Sequence, residues 1–347
     1  MGDPRAALPA ARSASPAAGP RPVRRGAHPE QRLYAALDLG TNNCRLLIAR
    51  PADEGFTVVD AFSRIVRLGE GLAASGRLSD AAINRTIAAL SICADKLKRR
   101  NVTLARSVAT EACRRASNGQ AFIERAYRET GIALDIISAE EEARLAVLGC
   151  HLPIEPGDDP ALIFDIGGGS TEVVLVDTRT PVPSVLDWHS VPWGVVSLTE
   201  SAASGDGAQG LDATYARMRT LIAESIAPFA ARLPRAVGRP RLLGTSGTVT
   251  TLASVYLGLD RYDRSAVDGL IVPAASMRAI SADLAGKSIP ERARYPCIGM
   301  ERADLVVAGC AILESILDIW PAERLGIADR GIREGILRRL MHNGGRA

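Results

Sequence analysis

The chain has 347 residues, 47% of them hydrophobic and 23% charged, with a formal net charge of +3. That length exceeds what one core usually supports and favours two globular domains, while no apolar run reaches the ~18–20 residues a membrane helix needs. The surplus charge lies in residues 1–31, where five Arg face only Asp3 and Glu30, so the rest of the chain is balanced and offers neither a basic footprint for specific nucleic acid nor a membrane partner.

Residues 1–31 are Ala/Pro/Arg-rich without an apolar stretch, and read as a disordered tail. Leu33–Leu37 then reads as a buried strand, Cys44–Arg50 as a second and Phe56–Arg67 as a third. Ser79 is placed to cap a helix through Ile83, Ile87, Leu90 and Leu97, whose spacing is helical. Leu104–Ala109 is a strand, Gln120–Thr130 a helix and Leu134–Ile137 a strand. Ser138 and Glu141 have capping-box spacing at the head of a helix running through Leu148. A Pro/Gly/Asp-rich loop over 153–160 closes this half. From Ala161 the pattern restarts, with strands at 161–166 and 171–175 and a third over Pro183–Pro192. Helices are expected over Ala213–Leu233, Ser246–Leu257, Met277–Ala285, Arg302–Ile319 and Ile332–Met341, with a strand at Leu242–Leu243. Strand–strand–strand–helix–strand–helix in both halves describes an α/β duplication. The six Cys are scattered with no CxxC pair, which suggests a reducing cytoplasm without zinc or disulfides.

The duplication is sharpest in two hairpins 127 positions apart, running from Asp38 to Ile48 and from Asp165 to Leu175. Each is an apolar strand ending in Asp, a turn of small residues and a second apolar strand. Gly40-Thr41-Asn42-Asn43 and Gly167-Gly168-Gly169-Ser170-Thr171 can present backbone N–H groups to an oxyanion, although hairpin turns also favour Gly and Asn on steric grounds alone. Gly244-Thr245-Ser246-Gly247 is a third turn of this kind, leading into a helix, where an ordinary N-cap is the competing reading. At the eighth hairpin position the copies differ, with Arg45 in one and Glu172 in the other. Asp38 and Asp165, at the ends of buried strands, suit Mg²⁺ (or Mn²⁺), which takes one or two protein carboxylates plus phosphate oxygens. Glu141, Glu142 and Glu172 are candidates to orient and deprotonate a water; for Glu141 and Glu142, favourable placement in a first helical turn competes. Arg45, Arg114, Arg302 and Arg333 have planar forks suited to phosphate.

The segments ALDLGTNNCRLLIA, VRLGEGL, ATEACRRASN, IISAEEEARL, IFDIGGGSTEVVLV, GTSGTVTTLA, ERADLVVAGCAIL and ADRGIREGIL together resemble the exopolyphosphatase/guanosine pentaphosphate phosphatase (Ppx/GppA) family of the sugar kinase–Hsp70–actin superfamily. The resemblance implies an α/β fold of two ribonuclease H-like domains flanking a cleft, here over 32–138 and 139–331, with a C-terminal helix at 332–345 packing on the first. It also implies a homodimer and a divalent metal. Carried over position by position, it makes Glu142 the base for the attacking water and Asp165 and Glu172 the acidic metal- and water-site residues. Gly40, Asn43, Arg45, Arg114, Gly168, Gly169, Ser170 and Thr171 match phosphate contacts, and Thr41, Asn42, Gly167, Gly244, Ser246 and Gly247 lie in the same turns. Three successive glutamates, 140–142, leave room for a one-residue slip in the base. Asn43 stands where the family commonly has Ser, and the chain resembles the short form without a C-terminal HD-type domain. The expected activity is release of orthophosphate from inorganic polyphosphate. Alternatives are guanosine pentaphosphate (pppGpp) 5′-phosphohydrolysis, a phosphotransferase of the same superfamily, and a non-catalytic polyphosphate or nucleotide sensor.

Overall fold

The computed structural model describes residues 32–53, 55–150, 154, 159–180, 182–203, 210–233 and 240–344. The tail expected over 1–31 and most of the loop at 153–160 lie outside these residues. The first half contains β1 (Tyr34–Leu39), β2 (Asn43–Ala52), β3 (Gly55–Ile65), α1 (Leu72–Ser75), α2 (Asp80–Arg99), β4 (Leu104–Ala109), α3 (Glu111–Arg115), α4 (Gly119–Thr130), β5 (Leu134–Ile136) and α5 (Ala139–Cys150). The second contains β6 (Ala161–Ile166), β7 (Thr171–Asp177), β8 (Ser184–Val191), α6 (Val195–Ala203), α7 (Leu211–Arg232), β9 (Arg241–Thr245), α8 (Ser246–Tyr256), α9 (Arg264–Val267) and β10 (Ile271–Pro273). It continues with α10 (Ala274–Ala285), α11 (Ile289–Arg292), α12 (Val306–Ile319), β11 (Arg324–Ala328) and α13 (Ile332–Gly344).

The two sheets have the same core order. The first runs β3-β2-β1-β4-β5 and the second β8-β7-β6-β9-β11, with β10 added antiparallel at the edge. Each opens with an antiparallel meander and turns parallel at its fourth strand. These are two ribonuclease H-like α/β units around a cleft, as the family resemblance implies. β10, β11 and α6 have no counterpart among the sequence-predicted elements. Leu325-Gly326-Ile327-Ala328 is short and follows the strongly apolar α12, and α6 opens on Val195 and Val196, which favour strand. Helix α12 begins at Val306, four residues later than expected, leaving Arg302 on the preceding loop.

Alternation along the central strands explains the layering. In β1, Ala35, Leu37 and Leu39 join the core under α2 and α4, whereas Tyr34 and Ala36 face α5 and α13. In β6, Leu162, Phe164 and Ile166 face the core beneath α6, α7, α8 and α12, while Ala161 and Ile163 meet Ala143, Val147 and Cys150 of α5. Helix α5 therefore packs on both sheets, with Leu145 and Ala146 in the cluster of the first. Ser138 caps it, accepting from the Glu141 N–H at 3.1 Å. The reciprocal half of the capping box is absent, because the Glu141 carboxylate pairs instead with Arg106 (2.8 Å) and Arg339 (3.2 Å).

Helices α5 and α13 cross at glycines. A methyl built on Gly335 would lie 2.1 Å from the Leu145 carbonyl oxygen, and one on Gly149 would lie 2.0 Å from that of Gly331. Neither carbonyl can move without unwinding a helix. Gly335→Ala is expected to destabilise the protein by about 1–3 kcal/mol or more, as overpacked cores do. Urea unfolding checks this, and an unchanged midpoint would show that the crossing is looser than described.

Candidate active site

The two hairpin turns are closed in the same way. Gly40 donates to the Asn43 carbonyl at 2.9 Å, and Gly167 donates to the Ser170 carbonyl at 3.0 Å. The other turn carbonyls are taken by the segments that follow each hairpin. Thr41 accepts from Gly69 and Asn42 from Val66; Gly167 accepts from Val195 and Gly168 from Val196. In a trans peptide the carbonyl and the next N–H point opposite ways. The N–H groups of Asn42, Gly168 and Gly169 are thereby turned away from those segments, and both turns line a cavity of about 150 Å³. The turns also touch across the cleft. A methyl on Gly168 would lie 3.0 Å from Thr41 Cβ, and one on Gly169 would lie 2.6 Å from Thr41 Oγ1.

Strand register decides which charges face each other. Asp38 lies directly opposite Arg45, and Asp165 directly opposite Glu172. Opposite residues of an antiparallel pair share a face, so the first hairpin sets opposite charges across from each other and the second sets like charges. Burial raises the Asp38 pKa while Arg45 and Arg333 oppose the rise, and its buried Oδ1 has no hydrogen-bond partner. Asp165 is pushed up to about 6, first by burial and then by the Asp38 charge, with Arg45 opposing. Glu172 is pushed up to about 7, first by burial and then by Asp165, with the Ser170 and Ser190 hydroxyls opposing; Ser190 Oγ donates to it at 3.0 Å. Burial also lowers the Arg45 pKa, helped by Arg333 and resisted by Asp38, Asp329 and Asp165.

The three successive glutamates separate. Glu140 pairs with Arg144 one turn on, at 2.7 Å, and Glu141 is engaged with Arg106 and Arg339. Only Glu142 lines the cavity. Its pKa is raised well above the ordinary carboxylate value by burial and by Glu172, against Arg114. The third turn reaches the same cavity through Ser246 and Gly247. Ser246 has φ 84°, a left-handed backbone that costs energy for a non-glycine residue and concentrates at functional sites. Its hydroxyl donates to the Ile166 carbonyl at 2.6 Å.

Of the residues singled out from sequence, Asp38, Gly40, Thr41, Asn42, Asn43, Arg45, Glu142, Asp165, Gly167, Gly168, Gly169, Ser170, Glu172, Ser246 and Gly247 line the cavity. Besides Glu141, three do not reach its wall. The Thr171 hydroxyl donates to the Trp193 carbonyl, Gly244 sits against the Phe164 ring, and Arg114 is held by Glu111, Glu142 and the Ile137 carbonyl. Arg302 and Arg333, carried by the ERAD and ADRGIREG segments, do line it, together with Glu111, Asp329, Arg330 and Glu334. Glu334 is almost fully buried and accepts from the Gly331 N–H at 2.9 Å and from Arg264 at 3.0 Å. Asp329, Arg330 and Glu334 lie in the ADRGIREG segment and Glu111 in ATEACRRASN, two of the segments that carry the family resemblance.

With this geometry in hand, the chain belongs to the Ppx/GppA phosphatase family, whose model matches residues 47–344. It is 31% identical over 318 residues to the protein named exopolyphosphatase 2 of Mycobacterium tuberculosis, covering 87% of this chain and 96% of that one. The crystal structure of the Aquifex aeolicus Ppx/GppA family member superposes with a TM-score of 0.74 at 28% identity, over 91% of this chain and 99% of that one. An exopolyphosphatase structure from Cytophaga hutchinsonii shares the fold, with a TM-score of 0.80 at 23% identity over 90% of this chain and 98% of the other.

The like-charge pair sets a pH dependence. An acid whose pKa is raised on folding binds its proton more tightly in the native state, so its contribution to stability falls as pH rises from the unfolded value through the folded one. For Glu172 that window runs from the ordinary carboxylate value of 4.5 to about 7. With divalent cations chelated, Glu172→Gln is expected to stabilise the protein by about 1–3 kcal/mol at pH 8 and by little at pH 4.5. Chemical denaturation at both pH values measures the difference; equal effects would show that Glu172 is ionised without penalty.

Proposed function

We propose that this protein is an exopolyphosphatase, releasing terminal orthophosphate from inorganic polyphosphate by attack of a water that Glu142 deprotonates. The observation that carries this reading is the position of Glu142, the one member of the glutamate run on the wall of a cavity lined by two phosphate-type turns. Backbone N–H groups of the turns bind the phosphate oxygens, and Arg45, Arg302 and Arg333 balance their charge. Glu142 accepts a proton from water as the water oxygen bonds to the terminal phosphorus and the bridging P–O bond breaks. Burial and the Glu172 charge give Glu142 a raised proton affinity, which suits a general base working near neutral pH. The six free cysteines accord with a reducing cytoplasm.

The residues also fit a divalent cation. Asp38 Oδ1 is buried without a partner, and the Asp165–Glu172 pair concentrates negative charge that a cation relieves. Among the described residues no three His, Cys, Asp or Glu side chains converge to hold a metal by themselves. This accords with Mg²⁺ (or Mn²⁺) held by one or two carboxylates, from Asp38, Asp165 and Glu172, and completed by substrate phosphate and water. When bound, such an ion would neutralise charge developing on the transferred phosphoryl group.

Glu142→Gln is expected to lower turnover of polyphosphate by about 10²–10⁴-fold while polyphosphate binding stays within a few-fold of wild type. Orthophosphate release, measured beside equilibrium binding of the same polyphosphate, checks both halves. Undiminished turnover in this variant sinks the assigned base. Turnover of guanosine pentaphosphate alone would transfer the same chemistry to a nucleotide substrate.

A further inference from the structure

Arg114 does not line the cavity, yet all three of its guanidinium nitrogens are engaged. Its Nη1 donates to Glu142 Oε2 at 3.0 Å and to the Ile137 carbonyl at 2.7 Å. Nε and Nη2 both donate to Glu111 Oε2, at 3.1 and 2.7 Å. Burial opposes the charge on Arg114, but the Glu142 and Glu111 carboxylates outweigh it and hold its pKa above the ordinary value. The planar fork is therefore locked between two acids rather than extended toward a ligand.

Glu111 is the outer member of this chain and is itself well placed. It lies on the cavity wall, with its side chain only 14% exposed. Its aliphatic part meets the second hairpin across the cleft, where a methyl built on Gly169 would lie 3.0 Å from Glu111 Cγ. Arg114 sits on a helix of only five residues, and a long side chain there has several rotamers unless something fixes it. Two charge-assisted bonds from one acid and a third to a main-chain carbonyl supply that constraint. The Glu142 carboxylate inherits it through Nη1.

We propose that Glu111 is a positioning residue for the hydrolytic step, fixing Arg114 so that Arg114 orients the Glu142 carboxylate in the cavity. The inference rests on Glu142 being the base. Because Glu111 also touches the Gly169 turn, the orientation of the base is tied to the approach of the two hairpins.

The test measures kcat and KM for polyphosphate in wild type, Glu111→Gln, Arg114→Lys, Arg114→Ala, the Glu111→Gln/Arg114→Ala double variant and Glu142→Gln. Glu111→Gln keeps the volume but loses the charge. It is expected to lower kcat by about 10-fold or more, as small misplacements of a catalytic group do, with KM within about 2-fold of wild type. Arg114→Lys, which cannot span both acids, is expected to show the same split. In the Arg114→Ala background Glu111→Gln should change kcat by less than about 2-fold, because Glu111 acts only through Arg114. Wild-type kcat in Glu111→Gln overturns the proposal, as does its full loss repeated on Arg114→Ala. A raised KM with unchanged kcat in Arg114→Lys would make Arg114 a phosphate ligand and overturn it too. Full activity of Glu142→Gln removes the base on which the proposal rests; an inactive Glu142→Gln beside an unimpaired Glu111→Gln removes the positioning role alone.

Discussion

Across the second hairpin two carboxylates, Asp165 and Glu172, are held directly opposite each other on buried strands. Strand register fixes this pairing, since a slip of one residue would exchange the two apolar faces of β6 and β7, which pack against different layers. The equivalent pair in the first hairpin is Asp38 and Arg45, an attraction where the other is a repulsion. Like charges in this position destabilise a sheet, and burial sharpens the penalty. Folding alone gains nothing from such a pair, which marks these residues as a candidate functional site. Burial first, and the confinement of negative charge second, raise the proton affinities of Glu142 and Glu172.

Helix α5 carries the arrangement to the proposed base. Its apolar side chains pack on both sheets, and its crossing with α13 is fixed by glycine-to-carbonyl contact. Glu142, in its first turn, is thereby placed where the two units meet, with Glu140 and Glu141 turned to ion pairs outside. The closed cleft is held elsewhere by Arg67, which bonds Asp304 at 2.9 Å and the Glu301 carbonyl at 3.2 Å, and by Glu200, which accepts from the Gly71 N–H at 2.8 Å. Individually such partly exposed pairs contribute little to stability.

Much of this was legible in the chain because it is local. The duplicated hairpins, the Ser79 and Ser138 caps and the Glu142 neighbourhood are written in consecutive residues, and burial of β1 and β6 on both faces follows from their apolar runs. Other features depend on elements distant in sequence. β11 pairs with β9 and β10, both distant in sequence, and five residues with a central Gly carry no strand signal by themselves. Arg114 has the chemistry of a phosphate ligand; Glu111 is three residues away on the same helix, but nothing local reveals that Glu142 also occupies its fork. Thr171 and Gly244 belong to turns of the right type but face Trp193 and Phe164. Motif membership locates a turn; packing selects which of its residues look into the cavity.

Under the proposed reading, the Asp165–Glu172 pair holds protons that a divalent cation displaces. With pKa values of about 6 and about 7, the pair is partly protonated near pH 6.5, and a divalent ion displaces those protons. Calorimetric titration of Mg²⁺ alone into the protein at pH 6.5, in two buffers of different ionisation enthalpy, counts them. Release of roughly one proton per bound ion is the expected result, falling toward zero at pH 8.5. Binding of Mg²⁺ with no proton release at pH 6.5 would show that the paired carboxylates are already ionised, and would contradict this account of the site.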